Sequence, residues 1–226
     1  NNQLTDVKPL EKLAQLRALH LSANQLTSVK GLEKLVHLTE LRLGNNPDLT
    51  KAQIDELQKA LPNCRIFHDF PLNPEEQAKV IERAIRFAAK KPKGELTKAD
   101  LEKATKIELG QIDMTSMKDL EKLTKLKYLS LRNNKLTDAK GLEKLTQLKE
   151  LFLNANQLTN VTGLEKLTKL TILDLSNNQL TDVKPLEKLA QLRALHLHNN
   201  PDLTKAQIDE LRKALPKCFI TSNPKK

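Results

Sequence analysis

The sequence predicts an α/β repeat solenoid, a right-handed curved stack of coils with a parallel sheet on its concave side. Short helical or 3₁₀ turns are expected on the convex side, with helical caps at the ends. Two observations predict this fold. Leucine supplies 45 of the 226 residues, against 5 Phe, 1 Tyr and no Trp, so one aliphatic residue fills most core positions. Leu129, Leu151, Leu173 and Leu195 are each separated by 22 residues, which indicates a repeating structural unit.

Each repeat carries the pattern Leu-x-x-Leu-x-Leu-x-x-Asn-x-Leu, seen at Leu148, Leu151, Leu153, Asn156 and Leu158. The Leu-x-Leu pair predicts a short strand with alternate side chains pointing inward, and stacking of repeats adds parallel strands beside it. The asparagine falls where the chain leaves the strand. Because its amide both donates and accepts, we expect stacked asparagines to pair with backbone groups that the turn would otherwise leave buried and unpaired.

The other half of the repeat, such as residues 161–167, is expected to return along the outside as a short helical or 3₁₀ turn. A single repeat cannot bury its apolar face, so stacking must do so. With the motif in several registered copies, the chain resembles the leucine-rich-repeat family, in its short 22-residue subclass typical of bacterial internalins. The resemblance implies a curved solenoid whose concave sheet recognises proteins, without identifying the partner.

Two near-identical segments divide the chain. Residues 45–61 and 199–215 differ only in Gln58 against Arg212, and both contain a capping-box signature followed by a helical apolar stripe. We interpret each as a C-terminal cap. The predicted organisation is a partial array with its cap at 1–70 and a second array with its cap at 105–226.

Residues 71–104 are predicted to form a helical N-terminal cap for the second array. Asn73 is placed as the helix N-cap before Pro74, and Ile81 and Ile85 lie on one apolar helix face. The first repeat that follows is irregular, with Ile112 where the pattern expects Asn.

Residues 1–21 are identical to residues 177–197, which indicates a tandem duplication or a piece cut or engineered from a larger array. The first array has no helical cap before it, so we expect the strand edge and leucines near Leu4, Leu10 and Leu16 to be open. An open edge templates pairing. Another part of the chain could cover it. Alternatively, the chain forms a homo-oligomer through residues 1–20, domain-swapped or engineered.

The sequence carries no pattern of catalytic or metal-binding residues, which predicts a protein that is not an enzyme and holds no cofactor. His196 and His198 could face one side of a strand, but two histidines without further ligands favour surface positions over a metal site. Cys64 and Cys218 occupy matching positions in the two caps and are predicted to be buried free thiols, which fits a reducing compartment. No stretch has the length and apolarity of a membrane-spanning helix.

Specificity is expected at the solvent-facing strand positions, which the repeat does not constrain. Tyr128, Phe152 and Ile172 are the large apolar residues there, on consecutive strands in adjacent columns, and they predict one patch. A polar rim around an aromatic centre is typical of protein interfaces. The predicted protein-binding residues are Tyr128, Arg132, Glu150, Phe152, Ile172, Asp174, His196, His198 and Phe219.

The formal charge of +10 suggests a rival function, the binding of nucleic acid or another anionic surface. Lysines are interleaved with acids through every repeat, which favours a solvated outer face and makes nucleic acid the less favoured partner. A self-assembling structural module, joined through the open first array, is a further alternative.

Overall fold

The structure, a computed structural model, describes residues 3–70 and 74–224. It contains two compact units, Asn1–Phe70 and Pro71–Lys226, which are described separately below. The predicted helix N-cap at Asn73 lies outside the described residues.

Every strand of the described chain is three residues long, which agrees with the short strand that the Leu-x-Leu motif predicts. The strands are β1 Ala18–His20, β2 Glu40–Arg42, β3 Arg65–Phe67, β4 Lys106–Glu108, β5 Tyr128–Ser130, β6 Glu150–Phe152, β7 Ile172–Asp174, β8 Ala194–His196 and β9 Phe219–Thr221. The α-helices are α1 Lys51–Ala60, α2 Pro74–Ala89, α3 Lys98–Lys103 and α4 Lys205–Ala214.

The second unit contains a six-stranded parallel sheet in the order β4-β5-β6-β7-β8-β9, so each strand pairs with its sequence neighbours. The central residues of the strands are in register and buried in one continuous core: Ile107, Leu129, Leu151, Leu173, Leu195 and Ile220. The predicted fold class is therefore confirmed: parallel strands stack one repeat apart, and side chains alternate between core and solvent.

Several of the described repeats form 3₁₀ turns in the segments that return along the convex side. They lie at Lys8–Lys12, Leu32–Lys34, Lys118–Leu120, Leu164–Lys166 and Lys184–Lys188. Gly163, with φ of 96°, begins one of them, and a backbone in this left-handed region favours glycine. Leu32, Leu120, Leu164 and Leu186 of these turns are fully buried, whereas Leu10 of the first turn is only partly buried.

Helix α2 packs against the first strand of the second unit. Ile81 and Ile85 are buried in the same core as the sheet. The buried Gln77 accepts hydrogen bonds through Oε1 from the backbone amides of Thr115 (3.0 Å) and Ser116 (3.2 Å). The assignment of residues 71–104 as an N-terminal cap remains a prediction, for which these contacts give a physical basis.

The first unit contains the parallel sheet β1-β2-β3, and helix α1 buries Ile54 and Leu57 in the same core. Its strand β1 is an edge strand. Leu13 is 48 % exposed, and Leu4, Leu10, Leu16 and Leu19 are at least partly exposed. We call these five residues the leucine face.

Candidate functional site

The solvent-facing side of the second sheet consists of two columns of side chains, because the residues on either side of each buried central Leu or Ile point outward. The first column is Lys106, Tyr128, Glu150, Ile172, Ala194 and Phe219. The second column is Glu108, Ser130, Phe152, Asp174, His196 and Thr221. Neighbours within a column lie about 4.8 Å apart, the spacing of adjacent strands.

Tyr128 and Phe152 form an aromatic pair at the centre of this side. Their ring centroids are 5.5 Å apart and the rings are tilted by 42°, within the range that favours attraction between rings. Lys106 Nζ lies 4.6 Å from the Tyr128 ring centroid and 2.9 Å from Glu108 Oε1. This carboxylate raises the pKa of Lys106, so the ammonium over the ring stays charged at neutral pH.

Ile172 lies in the same column as Tyr128 but two strands away, with Glu150 between them. Phe152 is the diagonal neighbour of both, because it pairs with Ser130 on one side and Asp174 on the other. The sheet therefore brings Tyr128 and Phe152 into contact and places Ile172 at the next diagonal position.

Two charged residues of the predicted protein-binding set, Arg132 and Asp174, lie against defined neighbours. Arg132 is exposed and lies beside Gly110, where an added Cβ would approach Arg132 Cγ to 3.0 Å and its carbonyl oxygen to 3.2 Å. Glycine at position 110 thus leaves room for the stem of the Arg132 side chain. Asp174 accepts a hydrogen bond from the Ser176 backbone amide at 3.0 Å, which orients its carboxylate.

The remaining predicted residues lie at the C-terminal end of the sheet. His196 Nδ1 and Thr221 Oγ1 share a hydrogen bond of 2.9 Å, while His198 is exposed. Phe219 is 68 % exposed in the edge strand β9, separated from Ile172 by Ala194. Within residues 3–70 and 74–224, no group of three or more His, Cys, Asp or Glu side chains could hold a metal ion.

Sequence reasoning missed a second aromatic cluster, in the first unit. The guanidinium carbons of Arg65 and Arg42 lie 4.4 and 4.9 Å from the Phe67 ring centroid. Glu40 Oε1 pairs with Arg42 Nε at 2.7 Å and with His20 Nε2 at 3.1 Å, and the hydrogen bond from Arg42 is the main cause of its lowered pKa. Applying the same alternation to β2 and β3 would have identified these residues.

The two cysteines are free, as predicted, but only Cys64 is buried; Cys218 is partly exposed. The residue at position 58 also differs from its counterpart at position 212. Gln58 donates from Nε2 to the Cys64 carbonyl at 3.1 Å and so folds over that end of the cap, whereas Arg212 turns to Asp209 at 3.2 Å. Burial raises the pKa of the Cys64 thiol to about 11 and also raises that of Cys218, so neither is a ready nucleophile at neutral pH.

Stacked parallel strands, 3₁₀ returns, buried asparagines at successive turns and columns of variable outward side chains define a leucine-rich-repeat protein. The family profile for leucine-rich repeats (two copies) matches residues 14–63, 124–166 and 168–213. The chain belongs to the leucine-rich-repeat family. A comparison with curated protein sequences gives no match. In the described residues, no helix is long and apolar enough to span a bilayer.

The chain is similar to solved bacterial structures, and the first of them shows the same fold. An internalin (inlF) from Listeria monocytogenes superimposes with a TM-score of 0.52 at 22 % identity, over 100 % of this chain and 74 % of the other. An internalin C2 from the same species gives 0.48 at 23 % identity, covering 99 % and 78 %. A leucine-rich-repeat protein of Leptospira interrogans gives 0.44 at 24 % identity, covering 96 % and 57 %.

Proposed function

We propose that this leucine-rich-repeat scaffold binds a protein partner, without catalysis, through the concave face of its second unit. The observation that carries the proposal is the Tyr128–Phe152 pair, two contacting rings on the solvent-facing side of a sheet. Aromatic side chains dominate the binding energy of protein interfaces, while scattered surface residues contribute little. Two rings held together by a rigid sheet lose little conformational entropy on binding.

Charged side chains of both signs surround the pair. Lys106, Glu150 and Asp174 lie in the two columns beside it, and Arg132 follows the same strand as Tyr128. Such a rim favours a partner with an apolar centre and mixed peripheral charge, because complementary charges set orientation more than affinity. Ile172, His196, His198 and Phe219 extend the proposed face toward the C-terminal cap.

The test uses peptides selected from a display library for binding to the full chain. If the aromatic pair is the centre, Phe152→Ala and Tyr128→Ala should each weaken the binding of most selected peptides about tenfold, or ~1.4 kcal/mol. The melting temperature should barely move, because both side chains are partly exposed. Val36→Ala, at a position 66 % exposed in the first unit, is the matched control and should leave binding unchanged.

Two outcomes would count against the proposal. Peptides that bind Phe152→Ala as tightly as the original chain would show that binding occurs elsewhere. Equal losses of stability and of binding would assign Phe152 to the fold.

We propose self-association as a second function, through the leucine face of the first unit. A specific observation favours it: Leu13 is 48 % exposed, while Leu189, at the identical position of an identical 21-residue segment, is 0 % exposed. An apolar face beside an open strand edge is a typical site of association. The favoured occupant is the same face of a second copy.

Sedimentation of the 226-residue chain over a range of concentrations tests this second proposal. We expect a reversible dimer that Leu13→Glu abolishes and the control Val36→Glu retains. A chain that stays monomeric at the highest concentrations, or a dimer that is indifferent to Leu13→Glu, would refute it.

A further inference from the structure

The most exposed large apolar side chain of the described residues lies outside the concave face. Phe87, on helix α2, is 89 % exposed, although the same helix buries Ile81 and Ile85 in the core. Phenylalanine is a weaker helix former than alanine or lysine, so helix propensity does not account for it at an exposed position. The ring therefore stands in water without any packing role.

Cations surround this ring. Residues 83–93 contain five Arg and Lys and no Asp or Glu. Arg83 precedes Phe87 by one helical turn and Lys90 follows it by three residues, so both neighbour the ring on the helix surface. Arg83, Lys90 and Lys93 are exposed, and we call them together with Phe87 the Phe87 patch.

The loop after the helix is held in place, so the patch has a defined shape. Arg86 pairs with Glu82 at 2.7 Å and donates to the Gly94 carbonyl at 2.8 Å, which folds the loop back onto the helix end. Lys91 turns inward and pairs with Asp100 at 2.6 Å. Among the ion pairs of the described residues none involves Lys90 or Lys93, so both ammonium groups are available to a ligand.

The helix dipole explains only part of this arrangement. Cations near the C-terminus of a helix are stabilised by its partial negative charge, and Lys90 and Lys91 fit that rule. Neither the dipole nor the fold accounts for an exposed phenylalanine among them. A ring surrounded by cations instead matches the interfacial residues of proteins that lie on membranes.

We propose that the Phe87 patch binds an anionic lipid surface, with the ring entering the headgroup boundary and Arg83, Lys90 and Lys93 contacting lipid phosphates. A single exposed ring beside exposed cationic side chains fits a flat bilayer surface. Single-stranded nucleic acid fits less well, because such sites combine a basic groove with several aromatic rings for successive bases. With one ring and few cations, binding should be weak and reversible.

The chain has no tryptophan, so Phe87→Trp supplies a single fluorescent reporter at the proposed contact. The probe is a vesicle of phosphatidylcholine and phosphatidylserine in equal parts, compared with phosphatidylcholine alone. We expect the indole emission to shift to the blue and to become protected from aqueous quenchers with the anionic vesicles only. The shift should weaken as salt is raised.

Vesicle cosedimentation of unlabelled variants measures the contribution of each group. Phe87→Ala should lower the partition coefficient about tenfold, through the loss of apolar burial. The double variant Lys90→Gln, Lys93→Gln should lower it about 25-fold at low salt, since each lysine near an anionic surface contributes about fivefold. Lys122→Gln, Lys125→Gln removes the same charge from two exposed positions elsewhere in the second unit and should change it less than twofold.

Several outcomes would overturn the proposal. They are no binding to anionic vesicles, equal binding to neutral ones, an unshifted indole, or equal losses in the two lysine double variants. Tighter, Phe87-dependent binding of a single-stranded oligonucleotide that displaces the vesicles would reassign the patch to nucleic acid. All of these readouts are independent of the concave face, so the protein-binding proposal could fail without affecting this one.

Discussion

At the scale of single residues, the buried turn asparagines hold the coils together. Asn156 donates from Nδ2 to the carbonyls of Leu131 and Leu153, both at 3.0 Å, and accepts at Oδ1 from the amide of Leu136 at 3.1 Å. It therefore pairs with backbone groups of its own coil and of the preceding one. The same pattern recurs at Asn178. Only an amide side chain supplies both the donors and the acceptor that this position needs.

We expect Asn156→Ala to destabilise the second unit by about 3 kcal/mol, because it leaves the buried Leu136 amide without its partner. It also removes one of the two asparagine hydrogen bonds at each of the Leu131 and Leu153 carbonyls, which keep those from Asn134 and Asn178. Hydrogen exchange reports the local effect, and the protection of the Leu136 amide should fall. Urea titration reports the global effect, and the free energy of unfolding should fall as well. Asn154→Ala, two residues earlier on the partly exposed face, is the control and should change stability by less than ~0.5 kcal/mol. An unaltered Leu136 amide would contradict the assigned bond.

At the scale of elements, helices α1 and α4 have almost the same sequence and differ at one position, Gln58 in α1 and Arg212 in α4. Helices α1 and α4 both begin with a capping box, at Thr50 and Thr204. Gln58 near the end of α1 donates to the carbonyls of Leu61 (2.9 Å) and Cys64 (3.1 Å), whereas the matching Arg212 makes an exposed ion pair with Asp209. The glutamine therefore closes the C-terminal end of its helix, and the arginine does not.

Exchanging Gln58 and Arg212 should reverse the difference in stability between the two helices. Gln58→Arg is expected to destabilise the first cap by about 1 kcal/mol, through the loss of two hydrogen bonds to carbonyls. Arg212→Gln should give a comparable gain in the second cap and slow the alkylation of Cys218. Hydrogen exchange in each helix and thiol labelling report the two effects. If both variants weaken their caps, the difference between the helices has another cause.

Helix α3 gives a prediction about pH. Asp100 accepts hydrogen bonds from Lys91 Nζ and Thr97 Oγ1, both at 2.6 Å, and from the Thr97 amide at 3.1 Å. The bond from Lys91 is the first cause of the lowered pKa of this carboxyl. Because the folded pKa lies below the unfolded value of about 4, the stabilisation is present above pH 4 and lost as the pH falls below it.

We expect the protection factor of the Leu101 amide to decrease below pH 4 in the original chain. In Asp100→Asn it should be lower at neutral pH and nearly independent of pH, since the amide cannot titrate or pair with Lys91. A pH dependence that survives in Asp100→Asn would assign the transition to another group.

At the scale of the whole molecule, two identical segments differ in burial. Residues 1–21 and 177–197 have the same sequence, but Leu13 is half exposed and Leu189 is fully buried. In the second unit, the coil before residue 177 covers this segment. A repeat coil obtains much of its stability from its neighbours, so the same leucine has a different energy in the two places.

Leu189→Ala should therefore cost about 3 kcal/mol, and Leu13→Ala less than about 1 kcal/mol. Hydrogen exchange in strands β8 and β1, measured at low protein concentration, gives the two values. Equal costs at low concentration would mean that the leucine face is covered as closely as its counterpart. A cost for Leu13→Ala that rises with concentration would support self-association.

The sequence by itself determined the 22-residue repeat and the residue types that its core and turn positions need. The repeat motif predicted short parallel strands with inward leucines and the turn asparagines, and the Thr-x-x-Gln spacing predicted the capping boxes at Thr50 and Thr204. These are local or periodic features. Each depends on residue type and spacing, which a sequence records directly.

Only the tertiary structure decided which side chains meet and which stay exposed. Alternation placed Tyr128 and Phe152 on the outer side, but their 5.5 Å contact depends on strand register and side-chain rotamers. The exposure of Phe87 and the Arg42–Phe67–Arg65 cluster followed from packing that periodicity does not encode. Leu13 and Leu189 show the physical reason most directly. The burial of a leucine depends on the coil stacked against it, so two identical segments can bury the same residue to different degrees.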